Sequence, residues 1–171
     1  ESGIAGGARD LLSPEGPYDA GRVVEKIKDR AQGGRPFGII MVAEGAKEEG
    51  GDVITQASAT TRLQGVPQLG GVGAYLAEEI KKRIDLEVRC TVLGHIQRGG
   101  SPCAFDRVLG TRLGSHAVRA AAEGKFGTMV ALRTPDIVLV PLEELAGKVR
   151  TVPADSQLIQ CAEAIGISLG R

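Results

Sequence analysis

The sequence predicts an α/β protein with a Rossmann-like parallel sheet flanked by helices, and three observations favour this class. Strand-like apolar runs alternate with helical stretches through the first part of the chain, an order typical of parallel strands joined by crossover helices. The 25 glycines are about twice the usual share and suit tight turns between strands and helices. Finally, 42% of the 171 residues are hydrophobic and 25% are charged, as in ordinary globular domains.

The first elements follow from short, well-bounded patterns. The apolar pair at 11–12, closed by a proline two residues later, predicts a strand. A helix is expected from Asp19, a suitable N-cap, to the Gly33-Gly34 pair, because apolar residues recur every four positions between them. The continuous apolar run at 37–43 then predicts a buried parallel strand.

The middle of the chain begins with a long polar segment at 44–68, rich in Gly, Thr and Ser. Connections of this length inside compact domains are usually functional or mobile. A second helix is predicted from near Gly71, with a buried stripe formed by Leu76, Ile80 and Ile84. Residues 88–93 are rich in β-favouring side chains and predict the next strand.

The last third of the chain predicts a long helix, a pair of strands and a closing helix. The long helix covers about 102–122, and the two short strands cover 129–132 and 137–140. The closing helix is expected to begin after Asp155 as its N-cap. Its predicted buried residues are Leu158, Ala162, Ile165 and Leu169.

Charge, hydropathy and cysteine usage exclude several classes of function. The 21 basic and 21 acidic residues give zero formal net charge, which disfavours nucleic-acid binding because that needs a concentrated basic surface. No apolar run approaches the ~20 residues that a membrane span requires, so no membrane partner is expected. The three widely spaced cysteines form no disulfide framework or zinc pattern, which favours a reducing compartment and predicts a cytoplasmic protein.

Polar side chains follow two of the predicted strands at the point where each strand ends. The strand at 37–43 leads into Glu44, and the strand at 88–93 leads into His95 and Arg98. Because ligands bind beyond the carboxyl ends of parallel strands, these three side chains are expected at one edge of the sheet.

The segment 94–102 has the composition of a phosphate-binding corner. Arg98 offers a guanidinium fork that matches phosphate oxygens, and the two glycines after it let the backbone approach a ligand. Ser101 is a suitable N-cap and Pro102 suits a first helical turn, so a helix N-terminus that favours anions is expected here. Arg89 is a further possible cation.

Simpler interpretations of the same residues remain open at this point. Glu44 alone would more often be a solvated loop carboxylate, and an isolated His95 would more often be a structural hydrogen-bonding residue. The whole segment 94–102 can also be a well-capped turn between a strand and a helix. The sequence contains no metal-ligand cluster.

Residues 91–102 and 105–107 closely resemble the signature of the 6-phosphofructokinases. They read Thr-Val-Leu-Gly-His-Ile-Gln-Arg-Gly-Gly-Ser-Pro and Phe-Asp-Arg. The resemblance extends over nearly the whole chain, but only to the carboxyl-terminal half of such an enzyme. The long segment between Glu44 and Arg89 is similar to the longer-loop branch, which contains both ATP- and pyrophosphate-dependent members.

This resemblance implies a division of the chain between the two lobes of the phosphofructokinase fold. Residues 1–96 would belong to the lobe that binds fructose 6-phosphate, which they would form in part. Residues 97–147 would return to the nucleotide, or donor, lobe, and residues 148–171 would carry a carboxyl-terminal helix back to the substrate lobe.

The resemblance also implies roles for the four candidate residues. Glu44 matches the carboxylate that binds sugar hydroxyls, while His95 and Arg98 match the pair that holds the sugar phosphate. Arg89 matches an arginine that reaches the phosphate in the neighbouring subunit's site. The expected partner is therefore a second copy of the protein, in a homo-dimer or homo-tetramer.

The implied activity is transfer of a phosphoryl group to the 1-hydroxyl of fructose 6-phosphate in glycolysis. Mg²⁺ with ATP or pyrophosphate would be bound by the amino-terminal half, which would also hold the aspartate base. No catalytic residue is expected in this chain, which should not catalyse alone.

Arg9 stands where some relatives hold an effector's metal with a carboxylate, so nucleotide control is not expected. The alternative is a non-catalytic, sugar-phosphate-binding regulatory module.

Overall fold

The computed structural model describes residues 1–54 and 70–171, so the later part of the predicted long segment at 44–68 lies outside the described residues. In chain order the elements are helix α1 (Ser2–Ala5), strand β1 (Asp10–Leu12), helix α2 (Ala20–Gln32), strand β2 (Ile40–Val42), helix α3 (Val72–Lys81), a 3₁₀ helix (Gly94–Arg98), helix α4 (Ala104–Ala122), strands β3 (Thr128–Arg133) and β4 (Asp136–Pro141), a second 3₁₀ helix (Leu142–Glu144) and helix α5 (Gln157–Ala164).

The described residues form two compact units. The first unit contains Glu1–Val92 together with Thr151–Arg171, and the second contains Leu93–Arg150. None of the helices in the described ranges is long and apolar enough to cross a membrane. Cys90, Cys103 and Cys161 are all free and exposed.

A parallel strand pair forms the centre of the first unit, as the α/β prediction requires. β1 pairs with β2 in the register Asp10 to Ile40 through Leu12 to Val42. On the other edge of β1, the Leu11 amide donates to the Ser168 carbonyl over 2.8 Å, and the Ser168 amide donates to the Arg9 carbonyl over 2.9 Å. The carboxyl-terminal segment therefore runs beside β1 as a third, parallel neighbour.

β2 is shorter and more open than the buried strand predicted over 37–43. It covers only Ile40–Val42, and all three of its residues are half-buried. Phe37, at the start of the predicted run, is 77% exposed. The apolar run predicted the position of this strand correctly, but β2 is shorter because it pairs with β1 over only three residues.

The two helices packed against this pair agree with their predicted patterns, except that α3 ends at Lys81, so the half-buried Ile84 of its predicted stripe lies beyond the helix. The carboxylate of Asp19 caps α2 by accepting from the Gly21 amide over 2.7 Å, and Gly33 ends the helix. α3 begins after Gly71, whose φ of +96° is a left-handed conformation that glycine adopts without strain. The core that these elements enclose contains Leu12, Tyr18, Ala20, Val23, Val24, Ala46, Val72, Leu76 and Ile80.

The strand predicted at 88–93 is absent, and this prediction was wrong. The segment has no ladder partner within the described ranges, and its residues from Arg89 onward are exposed. Val88 packs against the core of the first unit. A Cβ built on Gly73 of α3 would lie 3.2 Å from Cys90 Sγ, so this part of the segment lies against that helix. Favourable β-propensity does not form a strand unless a neighbouring ladder satisfies the backbone.

In the second unit, the predicted strands at 129–132 and 137–140 are confirmed and slightly longer. β3 and β4 form an antiparallel hairpin whose register runs from Thr128 opposite Pro141 to Arg133 opposite Asp136. α4 packs against this hairpin. The buried hydrophobic residues of the unit are only Ala120 and Val140, which makes its described core thin.

Two predicted helix starts are displaced. α4 begins at Ala104 with Cys103 as N-cap, so Ser101 and Pro102 lie before the helix rather than at its cap and first turn. α5 begins at Gln157 with Ser156 as N-cap instead of Asp155, because the Ser156 hydroxyl accepts from the Leu158 amide over 3.2 Å. Of the four residues predicted to be buried by this last helix, only Ala162 is buried.

Candidate functional site

Glu44 lies on a turn at the carboxyl end of β2, where the sequence predicted it. The Ala43 amide donates to the Leu12 carbonyl of β1 over 2.9 Å, which extends the parallel pairing by one bond. The Ala46 amide then closes the turn by donating to the Ala43 carbonyl over 2.9 Å. Ala46 is completely buried whereas Glu44 is exposed. The turn is therefore anchored in the core through Ala46, and it presents the Glu44 carboxylate to solvent.

Arg89 belongs to the same unit but lies on the irregular segment that follows α3. Its Nε donates to the Glu87 carboxylate over 2.7 Å. Both side chains are largely exposed, with the Arg89 side chain at 84% exposure. An exposed ion pair of this kind contributes little to stability, so the guanidinium can exchange Glu87 for another anion at small cost.

His95 and Arg98 occupy the 3₁₀ helix Gly94–Arg98 of the second unit, and both are exposed. A 3₁₀ helix has three residues per turn, so residues three apart project from the same face. The structure therefore brings this histidine and this arginine together on one turn. Two donors of this kind, one of them a permanent cation, suit a phosphate monoester.

The N-terminus of α4, predicted to favour anions, lies at Cys103 and Ala104 and carries its own carboxylate. Asp106 lies in the first turn of α4 and accepts from the Cys103 amide over 2.8 Å, while Cys103 accepts from the amide of Asp106 in a reciprocal capping box. Hydrogen bonds from Cys103 lower the pKa of the Asp106 carboxyl. The Asp106 carboxylate therefore already accepts a hydrogen bond from one of the backbone amides at this helix start.

Asp106 and the pair Asp10–Lys26 are structural residues that the sequence analysis missed. Asp106 could have been recognised from its spacing, because an acidic residue three positions after an N-cap is the signal of a capping box. Asp10 of β1 is 2% exposed, and Lys26 Nζ lies 3.9 Å from its Oδ1. Lys26 sits in a helix full of charged residues, so the sequence pattern alone indicates an ordinary solvated face.

No Mg²⁺ site can be assigned to the part of the chain that the structure describes. Within residues 1–54 and 70–171, no three His, Cys, Asp or Glu side chains converge as a metal would require. Glu44 and Arg89 lie on separate segments of the first unit, and His95 and Arg98 share one turn of the second. Among these four candidate residues, Arg89 and Arg98 carry guanidinium cations and Glu44 carries a carboxyl group.

Comparison with known proteins gives a consistent family. The family model described as Phosphofructokinase matches residues 1–121. The ATP-dependent 6-phosphofructokinase of Chloroflexus aurantiacus is 47% identical over 169 residues, which cover 99% of this chain and 45% of that enzyme. The pyrophosphate–fructose 6-phosphate 1-phosphotransferase of Amycolatopsis methanolica is 50% identical over 155 residues, covering 90% of this chain and 45% of the relative.

A solved structure shares the fold. The crystal structure of Pichia pastoris phosphofructokinase in the T-state matches with a TM-score of 0.57 and 31% identity, over 97% of this chain and 16% of that one. The chain thus spans slightly less than half the length of the curated relatives described above.

Proposed function

Because this chain belongs to the phosphofructokinase family, we propose that it supplies the sugar-phosphate side of a 6-phosphofructokinase. The complete enzyme would transfer a phosphoryl group to the 1-hydroxyl of fructose 6-phosphate in glycolysis. The observation that carries the proposal is the position of His95 and Arg98 on one face of a single 3₁₀ helix. In this role the two side chains hold the 6-phosphate, and the Glu44 carboxylate accepts hydrogen bonds from sugar hydroxyls.

Arg89 is proposed to act in the site of a neighbouring subunit of a homo-oligomer. Its high exposure and its exchangeable ion pair with Glu87 support this role. The proposed sugar-binding lobe comprises residues 1–96 and 148–171, and residues 97–147 belong to the donor lobe. The division of the chain into two compact units near the same positions supports these boundaries.

The phosphoryl donor is ATP or pyrophosphate, because relatives named for each donor match this chain almost equally well. Phosphoryl transfer requires metal-bridged phosphates and a carboxylate that accepts the proton of the attacking hydroxyl. We assign Mg²⁺, the donor and the aspartate base to the amino-terminal half of the complete enzyme. The residues of this chain bind and orient the acceptor sugar.

The Arg98→Ala variant of the complete enzyme should raise the KM for fructose 6-phosphate about 30-fold. A hydrogen bond from a charged donor to phosphate is worth about 2 kcal/mol, which corresponds to that factor. The measurement is the initial rate at saturating donor as the sugar phosphate is varied. Arg133→Ala, which removes an exposed arginine at the end of β3, is the control. An unchanged KM in Arg98→Ala would remove this arginine from the phosphate site.

The 171-residue chain assayed alone should give no turnover of fructose 6-phosphate with Mg²⁺ and either donor. Its described residues offer no metal site, and the aspartate base is assigned to the amino-terminal half. A coupled assay for fructose 1,6-bisphosphate, run beside the complete enzyme, measures this. Turnover by the chain alone would contradict the proposed division of roles. Binding without turnover by the complete enzyme would instead favour a regulatory module.

A further inference from the structure

The segment that follows the Glu44 turn is fixed by the backbone of Tyr18. The Tyr18 amide donates to the Lys47 carbonyl over 3.0 Å, and the Glu49 amide donates to the Tyr18 carbonyl over 2.8 Å. These two bonds form a parallel bridge between Tyr18 and Glu48. Because Tyr18 is only 1% exposed, these bonds tie the backbone on both sides of Glu48 to the core.

A second element contacts the same segment through a side chain. The Tyr75 hydroxyl of α3 donates to Glu48 Oε2 over 2.8 Å. This hydrogen bond raises the pKa of the Tyr75 phenol. Burial, and then the nearby charge of Glu48, raises the pKa of Tyr18 to about 12. Both phenols are therefore neutral at physiological pH, and the Tyr75 hydroxyl remains a hydrogen-bond donor to Glu48.

α3 is a suitable platform for such a contact. Its Leu76 and Ile80 are 2% and 3% exposed and lie in the core, so the helix cannot rotate without losing that packing. Tyr75 lies next to this buried face but is itself 40% exposed. Its hydroxyl links α3 to Glu48, which lies four residues after Glu44. The completely buried Ala46 lies between these two glutamates in the sequence.

We propose that Tyr75, acting through Glu48, is a positioning residue for Glu44 and so sets the affinity of the site for the sugar. The inference rests on the proposed role of Glu44 in binding sugar hydroxyls. With the hydroxyl present, the Glu48 side chain is fixed to α3. The segment that follows the Glu44 turn is then held by this side-chain bond as well as by the backbone bonds of Tyr18. Without it, the Glu48 side chain is free to turn to solvent, and within the described residues the segment keeps the backbone bonds of Tyr18 and the bond from the Gly51 amide to the Glu48 carbonyl over 3.0 Å.

The test is made in the complete enzyme with Tyr75→Phe, which removes only the hydroxyl. We expect the KM for fructose 6-phosphate to rise about fivefold while kcat stays within about twofold and the KM for the donor is unchanged. Glu48→Ala should reproduce this result, and Glu48→Gln, which keeps an acceptor oxygen, should stay close to the parent. The double variant Tyr75→Phe with Glu48→Ala should be no worse than either single variant.

The matched control is Glu78→Gln, which weakens an exposed ion pair with Lys81 on the same helix and should leave every kinetic constant unchanged. Glu44→Gln distinguishes the positioning role of Tyr75 from the proposed sugar-binding role of Glu44. If Glu44→Gln raises the KM for the sugar and Tyr75→Phe does not, the positioning role is overturned and the proposed site stands. If Glu44→Gln has no effect, the proposed function of Glu44 fails and this inference fails with it. A parallel fall of kcat and Tm in Tyr75→Phe would also overturn the positioning role.

Discussion

Gly170→Ala is expected to lower the free energy of unfolding of the first unit by about 3 kcal/mol. Gly170 has a φ of +77°, a left-handed conformation that costs an alanine about 1 kcal/mol. A Cβ here would also collide with Leu12 Cδ2 and lie 2.8 Å from Tyr18 Cβ. Both neighbours are buried core residues, so relieving the overlap must move the backbone of Tyr18, at a further cost of about 2 kcal/mol.

Urea unfolding followed by circular dichroism measures this loss as a lower midpoint at an unchanged m-value. Gly166→Ala is the matched control, since Gly166 has a φ of +80° but a Cβ there would meet no atom within 4 Å. It should cost only the conformational part, about 1 kcal/mol. Equal losses in the two variants would show that the close approach of Gly170 to the core is not what constrains this position.

The carboxyl-terminal segment is thus part of the sheet region, and this could not be predicted from its sequence. Nothing in the residues around Ser168 marks them as a neighbour of β1, because a single bridge leaves no periodic pattern. The helix α2 was predictable at both ends, since Asp19 and Gly33 act through local backbone bonds. Helix caps can be predicted from neighbouring residues because they depend on local hydrogen bonds, whereas pairing between distant segments depends on the rest of the fold.

The same distinction explains the errors at the candidate site. Residues 88–93 have strand-forming side chains but no ladder partner among the described residues. The helix start at Ser101 was predicted from residue preference, yet the capping box of Cys103 and Asp106 satisfies two backbone groups and moves the start to Ala104. The residue types of the site were recognisable, and so was the position of Glu44 after β2. The 3₁₀ turn that aligns His95 with Arg98 was not, because no local sequence signal distinguishes it from an irregular loop.

Lys26→Met should destabilise the first unit in a strongly pH-dependent way. The Lys26 ammonium donates to the carbonyls of Arg9 and Gly166 over 3.2 Å and 3.1 Å, and it is the cation nearest to the buried Asp10 carboxylate. Asp10 Oδ1 has no hydrogen-bond partner among the described residues. At neutral pH the loss should reach about 3 kcal/mol, because an uncompensated charge would remain buried.

The sign of the pH dependence follows from the pKa of Asp10. Burial raises this pKa above its ordinary value of 3.8, and Lys26, with smaller contributions from Ser168 and Arg30, opposes the rise. Between the unfolded and folded pKa values the folded protein binds more protons, so its stability falls as pH increases. Removing Lys26 raises the folded pKa further and widens this window. The deficit of Lys26→Met should therefore be smallest in acid, below the ordinary pKa of 3.8, and should grow toward neutral pH as the pH rises above the folded pKa of Asp10 in the parent protein.

Urea midpoints measured across that range test the prediction. Lys28→Met, on an exposed position of the same helix, should change stability by less than about 0.5 kcal/mol at every pH. Asp10→Asn in the Lys26→Met background should abolish the pH dependence, because no buried carboxyl remains to titrate. It should leave only the cost of the lost bonds to the Arg9 and Gly166 carbonyls, about 1 to 2 kcal/mol. A deficit in Lys26→Met that is the same in acid and at neutral pH would mean that Asp10 is already protonated in the folded protein, and that Lys26 stabilises the unit through the two carbonyls alone.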